Sequence, residues 1–72
     1  MDVADKIKAF MEEHGITQAH ICRKTGIAPA KLNLTLNGKR RLTFEEYEII
    51  CWSLGVGVET FLEAKPPQQH AV

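Results

Sequence analysis

Short helical segments, each ending at a glycine, constrain the fold of this 72-residue chain most strongly. Apolar residues recur at spacings of three and four rather than two, which is typical of amphipathic helices and not of strands. A glycine directly after a helix readily takes the left-handed conformation that ends it. The glycines that stand in this position are Gly15, Gly26, Gly38 and Gly55. The pattern therefore predicts an all-α domain.

Residues that can begin a helix stand at the other ends of these segments. Thr17 can cap the second helix, and the spacing of Thr43 and Glu46 is that of a capping box at the fourth. Pro29 suits the first turn of the third helix, although Ala28 before it offers no capping oxygen. Together these signals predict five helices, at residues 3–14, 18–25, 29–37, 44–54 and 58–63.

The length of the chain indicates one domain, which we place at residues 1–64. Residues 65–72 include Pro66 and Pro67, offer little to bury, and are expected to form a flexible tail. No apolar run reaches the roughly 18 residues that a membrane-spanning helix needs, and the acidic N-terminus is unlike a signal peptide. We therefore expect a cytoplasmic protein.

The two cysteines, Cys22 and Cys51, form no CxxC pair and fall on the apolar faces of predicted helices. This placement predicts reduced core residues. A disulfide, or a metal site with His14 or His20, is the alternative, but no close ligand spacing supports it. We expect no metal and no cofactor. We also expect no enzymatic activity, because the sequence has no Ser/His/Asp or Cys/His arrangement with a plausible cleft.

Positive charge is concentrated in the middle of the chain. Residues 1–13 hold two lysines and four acids (−2), residues 14–44 six bases and no acid (+6), and residues 45–72 one lysine and five acids (−4). The six bases are Arg23, Lys24, Lys31, Lys39, Arg40 and Arg41. Such a distribution is expected where a surface meets a polyanion. A solvated basic face with no partner would show the same charge pattern. The order of the residues is therefore needed to distinguish it from a polyanion-binding surface.

The predicted second and third helices, with the glycine turn between them, form a helix-turn-helix unit. Gly26 permits the sharp turn, and Ile27 and Leu32 can close the corner against Ile21. Cys22 is small enough to let the two helices approach each other. Any αα-hairpin of a small bundle would have the same general spacing.

Several runs in and after this unit carry a family resemblance. They are residues 17–27 (TQAHICRKTGI), the loop Asn37-Gly38-Lys39-Arg40, residues 50–56 (ICWSLGV) and Phe61-Leu62. In this combination and order the chain resembles the phage-repressor and Cro-like (Xre-type) helix-turn-helix family, over roughly residues 3–63. The resemblance implies a five-helix DNA-binding domain of the lambda-repressor-like type. Its third helix would enter the major groove, and dimers would read half-sites about 34 Å apart.

The same resemblance implies a set of contacts to the DNA backbone. Gln18 would donate to a phosphate from the start of the second helix. Asn37, Lys39, Arg40 and Arg41 would hold the backbone from the loop after the third helix. Such contacts agree with the charge distribution, and they position a protein without reading sequence.

The base-facing positions implied by the resemblance are unusually apolar. They are Ala28, Pro29, Ala30, Lys31, Asn33 and Leu34. Only Lys31 and Asn33 can make polar contacts, and Asn33 could pair with adenine, while alanine and leucine could pack on thymine methyl groups. Either the protein binds with modest selectivity that relies on DNA shape, or this helix face serves a protein partner.

Ile49 and Trp52 lie three residues apart on the fourth helix, at positions that the family usually leaves polar. Large exposed aromatic residues are enriched at interfaces, so these two residues predict a dimer or partner surface. The alternative is that Trp52 covers the packed ends of the first and fifth helices.

These observations predict a small, repressor-like transcriptional regulator that binds double-stranded DNA as a homodimer and acts by occupying an operator. An antitoxin that also holds a toxin is the alternative within the same class. A protein-interaction module without DNA binding is the alternative from a different class.

Overall fold

The computed structural model describes residues 2–62, and they form an all-α fold, as predicted. Four α-helices are followed by one 3-10 turn, and these residues contain no strand. The elements are α1 (Val3–His14), α2 (Gln18–Thr25), α3 (Pro29–Leu36), α4 (Phe44–Leu54) and the terminal turn (Val58–Phe61). The predicted bounds of the first four helices are correct to within one residue. The predicted tail at 65–72 lies outside the described residues.

The prediction of a fifth helix at 58–63 is wrong, because Val58–Phe61 form a single 3-10 turn of 4 residues and Leu62 is already extended. Thr60 N–H donates to the carbonyl of Gly57 at 3.1 Å, the three-residue spacing of a 3-10 turn. Gly57 provides no side-chain cap, and β-branched Val58 and Thr60 weaken helix propensity. Buried Phe61 anchors the turn instead.

The predicted helix starts form as expected. Thr17 Oγ1 accepts a hydrogen bond from the backbone N–H of His20 at 3.1 Å. Thr43 Oγ1 accepts from the backbone N–H of Glu46 at 3.2 Å, and Glu46 Oε1 accepts from that of Thr43 at 3.1 Å, which completes the capping box. Ala28 gives no side-chain cap, and Pro29 occupies the first turn of α3.

One apolar core holds the helices together. α2 packs against both α3 and α4, and α1 packs against α3 and the terminal turn. The buried core residues are Ile7, Met11, Ile21, Leu32, Leu36, Tyr47, Ile50, Cys51 and Phe61. Because α1 and α2 together cover the inner face of α3, the opposite face of α3 points outward.

Three aromatic residues fasten the terminal turn to this core. Phe61 meets Phe10 of α1 edge-on, with ring centroids 5.5 Å apart, and lies 6.5 Å from the ring of Tyr47 in α4. The Tyr47 hydroxyl donates to the carbonyl of Val58. Burial raises the pKa of Tyr47, so the hydroxyl keeps its proton as a donor at neutral pH.

Both cysteines are free thiols. Cys51 is buried in the core, as predicted, whereas Cys22 is half-buried at its edge. Burial raises the pKa of the Cys51 thiol, which keeps it in the neutral, unreactive form.

Candidate nucleic-acid interface

The turn between α2 and α3 is fixed by hydrogen bonds from its own residues. Gly26 takes the left-handed conformation, with φ of 81°, and its N–H donates to the Cys22 carbonyl at 2.9 Å. The Thr25 hydroxyl donates to the carbonyl of Ile21 at 2.8 Å and accepts from the N–H of Ile27 at 3.1 Å. Thr25 therefore joins the end of α2 to the turn, a role that sequence reasoning missed.

The outward face of α3 consists of the residues predicted to face the bases. All six are exposed: Ala28, Pro29, Ala30, Lys31, Asn33 and Leu34. Leu34 is 45% exposed, whereas Leu32 and Leu36 on the inner face are buried. The Asn33 side-chain amide makes no hydrogen bond to any residue from 2 to 62. It therefore remains available to an external partner.

The loop after α3 starts with a tight reversal at Gly38. Lys39 N–H donates to the carbonyl of Leu34 at 2.8 Å, and Gly38 N–H donates to that of Thr35 at 3.1 Å. This pair of bonds, with Gly38 at φ of 74°, is a Schellman motif. It brings exposed Lys39 to the C-terminal end of α3.

Arg40 turns inward from this loop. Its Nη1 and Nη2 donate to the two carboxylate oxygens of Glu46 at 2.9 and 2.8 Å, a bidentate ion pair. Nη1 also donates to the hydroxyl of buried Thr35 at 2.9 Å. The side chains of Arg40 and Glu46 are only 27% and 19% exposed. Their neighbours Lys39 and Arg41 are exposed, so these two cations face solvent while Arg40 has an internal partner.

The ion pair remains charged at neutral pH. Hydrogen bonds from Arg40 and from the backbone of Thr43 lower the pKa of Glu46 to about 2. The same side-chain bond to Glu46 raises the pKa of Arg40. A contact of Arg40 with phosphate stays a prediction, and it would have to compete with this carboxylate.

A further cation, Lys8 of α1, lies beside the end of α3, although it comes from outside the basic segment. Lys8 Nζ donates to Asn37 Oδ1 at 3.0 Å, across 29 residues of sequence. Asn37 Nδ2 in turn donates to the carbonyl of Asn33 at 2.9 Å, so the amide is held against the end of α3. Sequence reasoning missed Lys8, because it belongs to the net acidic segment 1–13.

Gln18 is the first residue of α2 and is half-buried. It lines an open cleft of about 200 Å³ together with Lys8 and Leu36. Glu12 lines the same cleft, so one acid lies beside these donors. The fold thus brings Gln18 and Lys8 together on one side, while Lys39 and Arg41 extend from the loop after α3.

The sequence matches a known type of DNA-binding domain. A family model for the Cro/C1-type helix-turn-helix DNA-binding domain matches residues 6–67. The chain belongs to this family. The match includes α2, the glycine turn, α3 and the basic loop, and it confirms the resemblance that the sequence predicted. No curated protein and no solved structure matches the chain.

The Cro/C1-type domain has a second exposed surface on α4, away from the core. Trp52 is 61% exposed, and Ile49 beside it is exposed too. Lys24 of α2 places its Nζ 5.2 Å from the centroid of the indole ring, a cation–π contact. Trp52 is therefore too exposed to be a cover for the packed ends of other elements.

In residues 2–62 of the Cro/C1-type domain, no helix is both long and apolar enough to span a bilayer.

Proposed function

We propose that this chain is a transcriptional regulator that places α3 in the major groove of duplex DNA. The observation that carries the proposal is the position of the donors around α3. Lys8 and Gln18 lie at a cleft formed by α1 and α2, and Lys39 and Arg41 lie on the loop after α3. Side chains in these positions can neutralise backbone phosphates and so fix the orientation of α3 on the duplex.

Sequence selectivity would come from few side-chain hydrogen bonds. Asn33 is unpaired and exposed, so it can pair with adenine, and Lys31 can donate to guanine. Ala30 and exposed Leu34 can pack on thymine methyl groups, and such apolar contacts distinguish thymine from other bases only weakly. The remaining selectivity would depend on how readily the DNA adopts the bound shape. The regulator acts by occupying its operator and excluding polymerase.

The function is tested by selecting binding sites from a random duplex pool at low salt. Enrichment of a two-fold symmetric sequence with half-sites about 34 Å apart is expected. Circular dichroism of the same sample serves as the control for folding. If the protein is folded and yet retains no duplex at about 50 mM salt, the regulator proposal fails.

We further propose that the regulator is a homodimer that buries Ile49 and Trp52. Acids Glu45 and Glu48 lie towards the start of the exposed α4 face, and Lys24 lies at the Trp52 end. A two-fold axis near Ile49 would place the lysine of each protomer beside the acids of its partner. Such self-complementarity is what an isologous interface requires.

Trp52→Ala is therefore expected to shift sedimentation from dimer towards monomer, by about tenfold or more in the dissociation constant. Phe44→Ala is the matched control, because Phe44 is an equally exposed aromatic residue of α4 that lies in a different cleft, with Leu62. An unchanged monomer fraction for Trp52→Ala, or an equal shift for both variants, contradicts this interface.

The exposure of Leu34 and the apolar start of α3 favour one other function, a protein-interaction module. An antitoxin would combine both functions by holding a toxin as well as DNA. If the folded protein does not bind duplex DNA at low salt, the result supports the protein-interaction module. If the selection enriches an operator sequence, the result supports the regulator.

A further inference from the structure

Among the three bases of the loop after α3, Arg40 differs in direction. Lys39 and Arg41 on either side of it are exposed, while Arg40 points back into the fold. All three donor–acceptor distances from its guanidinium, to Glu46 and to Thr35, lie between 2.8 and 2.9 Å. Bidentate arginine–carboxylate pairs of this kind fix geometry as well as adding energy.

The bonds of Arg40 belong to a network that spans three parts of the fold. Thr35 Oγ1 accepts from Arg40 and donates to the carbonyl of Lys31 at 2.9 Å, within α3. Glu46 Oε1 accepts from Arg40 and from the backbone N–H of Thr43, at the start of α4. The network therefore ties the loop at one end to α3 and at the other to the cap of α4.

We propose that the Arg40–Glu46 pair is a positioning device for DNA binding rather than a phosphate contact. By holding Arg40 inside, it fixes the loop so that Lys39 and Arg41 both face the DNA backbone. Glu46, although an acid beside a DNA-binding loop, thereby increases affinity for DNA. The inference rests on the proposed DNA-binding function and assigns a role at that same surface.

For one substitution, the proposal predicts a change in DNA affinity opposite in sign to the change that electrostatics alone predicts. Removing a negative charge near phosphates normally strengthens binding, because it removes a repulsion. Glu46→Gln removes this charge and leaves one acceptor oxygen in place of two, so the bidentate pair is lost and Arg40 is held less firmly. If the pair positions the loop, Glu46→Gln weakens binding by about tenfold, the effect of losing about 1.4 kcal/mol of oriented contacts.

Asp5→Asn is the matched control. Asp5 lies in the first turn of α1, as Glu46 lies in that of α4, is exposed, and its side chain makes no hydrogen bond or ion pair within residues 2–62. Its neutralisation changes the net charge equally but leaves the network intact. Asp5→Asn should therefore leave binding unchanged or strengthen it slightly.

Arg40→Lys separates positioning from phosphate contact without changing the charge. A lysine can neutralise a phosphate, but it cannot make the two parallel bonds to Glu46. If Arg40 contacts phosphate, this variant binds almost like the wild type. If Arg40 positions the loop, the variant loses about as much affinity as Glu46→Gln.

The experiment is a fluorescence-anisotropy titration of the full chain and the three variants against a labelled random-sequence duplex of about 30 base pairs. It is repeated over a series of salt concentrations, and circular dichroism melts confirm that each variant is folded at the titration temperature. A positioning role lowers the salt slope of Glu46→Gln and Arg40→Lys by about one to two units, as Lys39 and Arg41 lose their phosphates. A merely stabilising role leaves the slope unchanged.

The results separate this inference from the proposed function. If the wild-type protein binds no duplex DNA, both the proposed function and the positioning role are wrong. If the wild-type protein binds duplex DNA and Glu46→Gln binds as tightly as Asp5→Asn, the positioning role alone is wrong. The positioning role is also wrong if Arg40→Lys has the DNA affinity and the salt slope of the wild type. This second variant still tests the positioning role if Glu46→Gln fails to fold.

Discussion

Affinity for duplex DNA is expected to fall about a thousandfold when salt rises from about 50 to about 200 mM, if the chain binds as proposed. Each protomer has three cations that the proposal assigns to the DNA backbone, namely Lys8, Lys39 and Arg41. Lys31 is assigned to the bases, and Arg40 is paired with Glu46. A dimer would then neutralise about six phosphates, and each neutralised phosphate contributes about 0.9 to the slope of log affinity against log salt. Neutral donors such as Gln18 would position the backbone without adding to this slope.

Anisotropy titrations at several salt concentrations measure the slope directly. Lys39→Gln should reduce it by about one unit per protomer, because one phosphate loses its counter-charge. Lys6→Gln is the matched control, since Lys6 lines a cleft with Phe61 of the terminal turn rather than the cleft that Gln18 lines. Equal reductions for both lysines, or a wild-type slope near zero, would contradict the proposed orientation on DNA.

Local signals explain why the sequence predicts most of this fold. Helix caps depend on residues three apart, so Thr17 and the Thr43–Glu46 box can be recognised from the sequence alone. The glycine turn between α2 and α3 is equally local. The prediction of a fifth helix was wrong because local helix signals are weak there. Gly57 provides no side-chain cap, and Val58 and Thr60 are β-branched.

The interface was harder to predict, because two of its features depend on tertiary contacts. The charge pattern treats Lys39, Arg40 and Arg41 as equivalent bases. Only the folded loop shows that Arg40 is paired with Glu46, a residue that also serves as a cap. Lys8 joins the site from α1 only because α1 packs on α3. No spacing rule links residues so far apart, so sequence reasoning had no signal for it.

Leu32→Ala should destabilise the domain by about 3 to 4 kcal/mol, the largest stability effect expected on α3. Leu32 is 0% exposed and belongs to the central core cluster, which α1 and α2 close over α3. Truncation removes buried apolar contacts and leaves a cavity that the surrounding helices fill only partly. A domain of this size has a total stability of only about 4 to 10 kcal/mol, so much of it would be lost.

Leu34→Ala is the matched control, because it makes the same chemical change two residues further along the same helix. Leu34 is 45% exposed, so its truncation should cost less than about 1 kcal/mol. Urea unfolding followed by circular dichroism should therefore show a much lower midpoint for Leu32→Ala alone, with an unchanged slope. Since Leu34 lies on the proposed DNA face, its variant should instead lose selectivity for thymine. Equal destabilisation by both substitutions would mean that the outward face of α3 is packed, and the proposed docking surface would then be wrong.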